Sequence, residues 1–388
     1  MVTRNGPLAA QRRGSTPRLQ VALVGCARMD LPLPWGHAWA GRLDDHVIDS
    51  QALTANPLGD PHRRPLYVYV PPGYDAEPDR RFPVVFVLQG LTGQVDMWRN
   101  RSAFSPNPVE AVDDAFAADG AVPALIVYVD AWTSLGGSQF LDSPGTGRYH
   151  TYLCDEVVPF VDARYRTLGA AAHRGVAGHS SGGYGAMVSA MLRPDVFGGF
   201  ATHAGDALFE ACYLPDLRDA ARTLRDVYGD SFDAFWTDFR SRPGRSKKTD
   251  ATLLNVWCMA ACYSTDPDAT VRIPFELGTG RLLPEVWDRW LARDPVRMVP
   301  RHADALRAQR AIWIDAGTSD EYYLDLAAEA FRRELEKIGI GEPTVRFELF
   351  DGKHGGTAWR YPLALRFLAE RLSAPAPASR VAVPTDAR

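Results

Sequence analysis

"VAGHSSGGYGAM", residues 176–187, sets apolar flanks around a run of glycine, serine and histidine. Gly178-His179-Ser180-Ser181-Gly182 fits the G-x-S-x-G pattern, in which a sharp strand-to-helix turn lifts a serine hydroxyl above the edge of a sheet. The pattern alone is weak, because 33 of the 388 residues are glycine and such spacings arise by accident. Its flanks supply the context. "HRGVAG" reads as a short buried strand with Val176 and Ala177, and "GGYGAMVSAMLRPDVF" as a helix with Met187, Ala190 and Met191 on one face. A nucleophilic Ser180 requires that order of strand, turn and helix.

Working outward, "PLYVYVPPGY" (65–74) alternates Leu66, Val68 and Val70 and stops at Pro71-Pro72-Gly73, which marks a strand. "FPVVFVLQG" (82–90) and "ALIVYVD" (124–130) are continuous apolar runs, as fully buried parallel strands are. Helices are predicted in "NPVEAVDDAFAADG" (107–120), closed by Gly120, and in "YHTYLCDEVVPFVDARY" (149–165), kinked at Pro159. After the serine come strands "GFATHAG", "RAIWIDAG" and "TVRFELFDG" and helices "YLDLAAEAFRRELEKIG" and "AWRYPLALRFLAERL". Strands alternating with helices predict an α/β fold, with a mostly parallel central sheet and helices on both faces.

Residues 206–305 break this rhythm. "LPDLRDAARTLRDVYG" places Leu217, Ala221, Leu224 and Val227 on one helical face, and "DATLLNVWCMAAC" and "LPEVWDRWLA" also read as helices. With Trp236, Trp257, Trp287 and Trp290, the segment is expected to be a mainly helical, cap-like insertion over the sheet's carboxyl edge, where open α/β sheets bind ligands. The α/β domain then comprises 50–205 and 306–372. Residues 1–49 are expected to be a partly irregular N-terminal arm, although "HVIDSQAL" carries a strand pattern, and the Ala/Pro-rich tail 373–388 is expected to be disordered.

A composition of 46% hydrophobic and 23% charged residues is that of an ordinary globular chain. The net charge of -4, with no basic run longer than a pair, argues against a nucleic-acid partner. No apolar run approaches a membrane span. Five cysteines in a long chain point to a reducing, cytoplasmic setting rather than a disulfide framework. Cys258 and Cys262 read as small core residues, since a metal pair would need further ligands. The stretch "RRGSTPRLQVALVGC" has the look of a lipoprotein signal ending at Cys26, the alternative to a cytoplasmic location, but its apolar core is too short.

A serine hydroxyl needs a base, and the imidazole needs an acid to hold its tautomer. His354 in "ELFDGKHGGTAW" follows the last strand and precedes the final helix, in the order serine, acid, histidine. "IWIDAGTSDEYY" offers Asp315 at the strand end and Asp320 in the loop; the loop position favours Asp320, with Asp315 and Asp351 as alternatives. The oxyanion formed by attack on an acyl carbon needs preorganised N–H donors. The Ser181 amide at a helix start supplies one. The Leu91 amide after Gly90 in "VFVLQGLTGQ" supplies the other.

"PLYVYVPPGYD", "FPVVFVLQGLTG", "GTGRYHTYLCDEVVPFVDARYRT", "RGVAGHSSGGYGAM", "IDAGTSDEYYL" and "DGKHGGTAW" together resemble, in order, blocks of the esterase D and S-formylglutathione hydrolase branch of the α/β hydrolases. That group also includes enterochelin-esterase-like proteins and mycolyltransferases. The resemblance spans most of residues 50–372 and implies an α/β-hydrolase fold, nucleophile Ser180, acid Asp320, base His354 and oxyanion amides at Leu91 and Ser181. Two departures stand out: a much longer insertion, and "LQGLTGQ" without the cysteine that the formylglutathione enzymes tend to carry after the threonine. Trp98, Trp132, His179, Tyr184 and Tyr323 fall on or beside the site loops as candidate substrate-binding residues.

The expected activity is hydrolysis of a small-molecule carboxylic ester through an acyl-Ser180, with no cofactor or metal. The alternatives are acyl transfer to an alcohol or sugar, and a non-catalytic α/β-hydrolase binding module. No oligomeric state is legible.

Overall fold

In a computed structural model of the chain, which describes residues 37–102 and 105–373, all five residues of "VVFVL" in strand β3 (Val84–Leu88) are buried. The two compact units divide after Ala38; of the first only His37 and Ala38 are described, and the sheet and its helices belong to the second. Cys26 and most of the expected tail lie outside the described residues.

Strand β3 lies near the middle of an eight-stranded sheet with β1 (Arg42–Asp49), β2 (Arg63–Val70), β4 (Leu125–Val129), β5 (Arg174–His179), β6 (Gly199–His203), β7 (Ala311–Gly317) and β8 (Val345–Phe350). In space they run β1-β2-β4-β3-β5-β6-β7-β8. From β4 to β8 every pairing is parallel, and β2 is antiparallel to both its neighbours. This is the mostly parallel α/β sheet that the alternation of strands and helices predicts. Residues 42–49, in the partly irregular arm and overlapping the strand pattern of "HVIDSQAL", form the edge strand β1, fully paired with β2.

The strand period of two splits the core cleanly. Val84, Phe86 and Leu88 face one layer, while Val85 and Val87 face the other with Ile126, Tyr128 and Trp313. The second layer is closed by helices α1 (Pro108–Ala117) and α9 (Arg360–Ser373), through Val109, Val112, Phe116, Leu365 and Leu368. The first is closed by helical residues 149–164, by α3 (Ser181–Leu192) and by α8 (Leu324–Lys337). Around Pro159, where a kink is predicted, the helical run is unbroken from 149 to 164: wide π turns at Tyr152–Val157 lead into α2 (Val158–Arg164), a local adjustment next to the residue that has no N–H to give.

Between β6 and β7 the chain is mainly helical: α4 (Leu214–Tyr228), α5 (Phe232–Arg240), α6 (Asp250–Tyr263) and α7 (Pro284–Leu291), with shorter turns between them. Helix α4 buries Leu217, Ala220, Ala221, Leu224 and Tyr228, the strict helical spacing, so Val227 is turned out to 57% exposure rather than joining that face. Because this segment covers α3, the post-serine helix is buried on all sides from Ser181 to Met191, beyond the single face its sequence suggested. Cys258 and Cys262 are buried in α6. Among the described residues no helix is long and apolar enough to cross a membrane.

Candidate active site

The parallel strands end at one edge, and the loops that follow them carry Leu91, Ser180, Asp320 and His354 to it. Ser180, between β5 and α3, has φ 57° and ψ −126°, a conformation costing a non-glycine residue about 1–3 kcal/mol. Its N–H donates to the His203 carbonyl at 3.0 Å and its carbonyl accepts from Tyr184 N–H at 2.9 Å, so the flanking strand and helix hold the strain. The two motif glycines are needed for close approach: a Cβ on Gly178 would collide with the Gly182 backbone, and one on Gly182 with the Leu88 carbonyl. The spacing read from the sequence is therefore a steric requirement of strand crossing helix.

His354 Nε2 lies 3.1 Å from Ser180 Oγ, and His354 Nδ1 lies 2.9 Å from Asp320 Oδ2. With Nδ1–H donated to the carboxylate, Nε2 is left to accept the serine proton. Asp320 is held in turn by the Tyr322 N–H at 2.8 Å on Oδ1, and its side chain is fully buried. The Tyr322 ring stands edge-on to His354 at 4.8 Å, and the Glu321 carboxylate accepts the His354 N–H at 3.0 Å. Among the described residues, none accepts a hydrogen bond from the backbone N–H of Leu91 or Ser181, and both residues line the cavity at Ser180.

Asp315 goes elsewhere. At the end of β7 it accepts from His203 Nδ1, Trp313 Nε1 and Arg360 Nε, each at 2.7 Å. Burial pushes its carboxyl upward, but these partners outweigh that and hold it below the ordinary aspartate value. Asp351 is exposed and makes no contact with His354.

Two cavities meet at Ser180. One, of about 200 Å³, is lined by Ser181, Asp206, Tyr213, Leu254, Asn255 and Tyr322, so residues of the 206–305 segment form part of its wall. The other, of about 340 Å³, is lined by Met97, Trp98, Pro108, His179, Tyr361 and the 355–358 loop. Trp98 and His179 therefore stand where substrate-binding residues were expected. His179 donates Nε2–H to the His354 carbonyl at 2.9 Å; burial, with the neighbouring His354 second, lowers its pKa to about 3.

The other three candidates are not at the cavities. Tyr184 points into the core against Phe209 and Tyr263, because the helical segment covers α3. Trp132 lies in the loop after β4, its carbonyl bonded by the Tyr149 hydroxyl, and its ring lines neither cavity. Tyr323 caps α8 with φ 59° and turns to solvent, leaving its neighbour Tyr322 to face the imidazole. Trp287 and Trp290, expected to shape the pocket, are packed against one another in the core. Sequence reading also passed over Asp206, although "THAGD" at a strand's carboxyl end was a visible signal.

A mostly parallel eight-stranded sheet with a strained serine between β5 and its following helix defines an α/β hydrolase. Residues 61–368 match the family model described as "Putative esterase", and the chain belongs to that family. A stretch of 174 residues is 27% identical to an uncharacterized protein of Corynebacterium glutamicum, covering 44% of this chain and only 38% of that relative. Among solved structures, a ferulic acid esterase superposes with TM-score 0.54 at 19% identity, over 86% of this chain and all of that one. A fluorophosphonate-binding serine hydrolase of Staphylococcus aureus gives 0.51 at 14%, over 86% and 99%. An S-formylglutathione hydrolase from Agrobacterium tumefaciens gives 0.50 at 17%, over 87% and 98%.

Proposed function

We propose that the chain is a serine carboxylic-ester hydrolase with Ser180 as nucleophile, His354 as base and Asp320 as the orienting acid, in the esterase D and S-formylglutathione hydrolase branch of its superfamily. The observation that carries this reading is the continuous relay from Ser180 Oγ through His354 to Asp320, at 3.1 and 2.9 Å, opening on two cavities. The order of the six sequence blocks supports the branch. In this reading 206–305 is a cap-like insertion on an α/β-hydrolase domain made of 50–205 and 306–372.

The reaction follows from the geometry. His354 Nε2 removes the Ser180 proton as Oγ attacks the ester carbonyl, and the oxyanion forms toward the Leu91 and Ser181 amides, each such donor contributing about a hundredfold to a thousandfold in rate. Asp320 stabilises the imidazolium, which gives its proton to the departing alcohol oxygen. Water, deprotonated by His354, then attacks acyl-Ser180 and releases the acid.

The experiment is turnover of aryl and alkyl esters combined with fluorophosphonate labelling. Ser180→Ala and His354→Ala should each lose about ten-thousand-fold or more of kcat, and Ser180→Ala should lose the label. Unchanged turnover in Ser180→Ala sinks the proposal. A new ester as the dominant product in dilute alcohol moves the assignment to acyl transfer.

A further inference from the structure

Asp206 is a buried carboxyl that the reaction above does not use, yet it lines the smaller cavity beside Ser180. Its Oδ2 accepts from Tyr213 hydroxyl at 2.9 Å, Gln139 Nε2 at 3.1 Å and Ser181 hydroxyl at 3.3 Å, all neutral donors. Its Oδ1 takes no hydrogen bond from any described residue. The remaining wall mixes apolar Leu91, Leu254 and Leu324 with polar Thr92, Asn255 and Tyr322.

The surroundings hold this carboxyl at some cost. Gln139 and its neighbour Phe140 both have left-handed φ, 51° and 52°, each a strained conformation for a side-chain-bearing residue. Gln139 also donates to the Tyr263 hydroxyl at 2.8 Å, so the loop after β4, the turn after β6 and helix α6 converge on Asp206. Strain concentrated around a cavity-lining polar group points to ligand contact rather than packing. Burial raises the Asp206 carboxyl above the usual aspartate value, against the lowering from those hydrogen bonds and from His354.

Ser180 and His354 line both cavities, so an ester bound at Ser180 has two directions in which to extend. The leaving oxygen must meet His354 Nε2, and the loop that follows His354, Gly355 to Ala358, lines the larger cavity. The acyl half then enters the smaller one, past Ser181. Resting on the serine-hydrolase reading, we propose that this cavity is the acyl pocket and that Asp206 Oδ1 selects an acyl group bearing a hydroxyl. A hydroxyl both donates and accepts, so it satisfies the carboxyl in either protonation state, whereas an acyl group without one leaves a buried polar atom unpaired. An ammonium would instead have to sit in the same cavity as His354, which turns into an imidazolium in the proposed reaction.

The test uses the full chain and p-nitrophenyl esters in matched pairs, each hydroxyacyl ester set against its methyl isostere, in aliphatic and aromatic series, with a parallel set varied only in the alcohol. The expected result is a kcat/KM preference of about tenfold or more for at least one hydroxyacyl member, falling to near one in Asp206→Leu and kept in part in Asp206→Asn, whose amide still pairs with a hydroxyl. No preference anywhere in the wild-type panel overturns the proposal without needing a folded variant. So does a preference confined to the alcohol half, a larger preference for ammonium-bearing acyl groups, or one that survives both substitutions. Failure to turn over any ester, with no fluorophosphonate labelling, instead removes the underlying hydrolase reading.

Discussion

His179 Nε2 lies 2.9 Å from the carbonyl oxygen of His354, and the two rings sit 4.5 Å apart at 40°. The residue before Ser180 thus grips the loop that carries His354, across 175 positions of sequence. Burial keeps His179 neutral, so it adds no positive charge beside the imidazolium that the proposed reaction forms on His354.

His179→Gln retains a donor for the His354 carbonyl and should keep most of kcat, while His179→Phe retains a ring but no donor and should lose about tenfold in kcat with little change in KM. Stability carries a second signature. His179 has a folded pKa of about 3 against 6.5 unfolded, so below pH 6.5 the unfolded chain binds a proton that the folded one refuses. Stability from this group is present above 6.5 and falls as pH drops toward 3, by up to about 1.4 kcal/mol per pH unit. Thermal unfolding between pH 7 and pH 5 should slope less steeply in both variants than in the wild type.

Asp320→Asn and Asp315→Asn should separate activity from stability. The first places an amide against His354 Nδ1 and favours the wrong tautomer, lowering kcat by about a thousandfold or more with little effect on Tm. The second removes the acceptor of buried His203, Trp313 and Arg360, of which only Arg360 keeps another carboxylate, Glu348, and should cost about 1–3 kcal/mol. Comparable activity losses in the two folded variants would contradict this division.

Trp290 is wholly buried, with its Nε1–H donated to Ser264 hydroxyl at 2.8 Å, whereas Leu254 lines the smaller cavity. Trp290→Ala should cost about 3–5 kcal/mol without changing the order of preference among esters. Leu254→Trp should narrow the cavity and lower kcat/KM selectively for bulky acyl groups. Melting curves and an acyl-length series on both variants decide the point.

Gly182→Ala puts a methyl against the Leu88 carbonyl in an elbow that has no room to move. It should destabilise the fold by more than about 3 kcal/mol or prevent soluble expression. An alanine variant with wild-type Tm and turnover would show that the strand-helix crossing is looser than its geometry.

The elbow and the strand–helix alternation were legible because they are local. Glycine at 178 and 182 answers a clash between segments adjacent in sequence, and an unbroken run such as "VVFVL" has only a fully buried strand to join. Ser180 and His354 followed from their places after successive strands. The faces of the post-serine helix did not, because what covers α3 comes from the 206–305 segment, distant in sequence.

From its residues alone, the chain determined an α/β sheet with a serine at the crossing of β5 and α3 and a histidine after the last strand. Tertiary structure decided which carboxylate meets that histidine and which aromatic rings reach the cavities. Asp315 lies within the strand period, on the face of Trp313, and so is carried beneath the edge to Arg360. Asp320 lies beyond it, in a loop aimed by the bonds from Thr318 N–H to Phe350 and Ser319 N–H to Gly352. Tyr322 and Tyr323 are adjacent and chemically alike, yet only one faces His354, because a left-handed φ at Tyr323 turns it outward. Periodicity sets which side of a strand or helix a residue occupies. The direction of a loop side chain is set by partners far along the chain, and those exist only once the sheet has assembled.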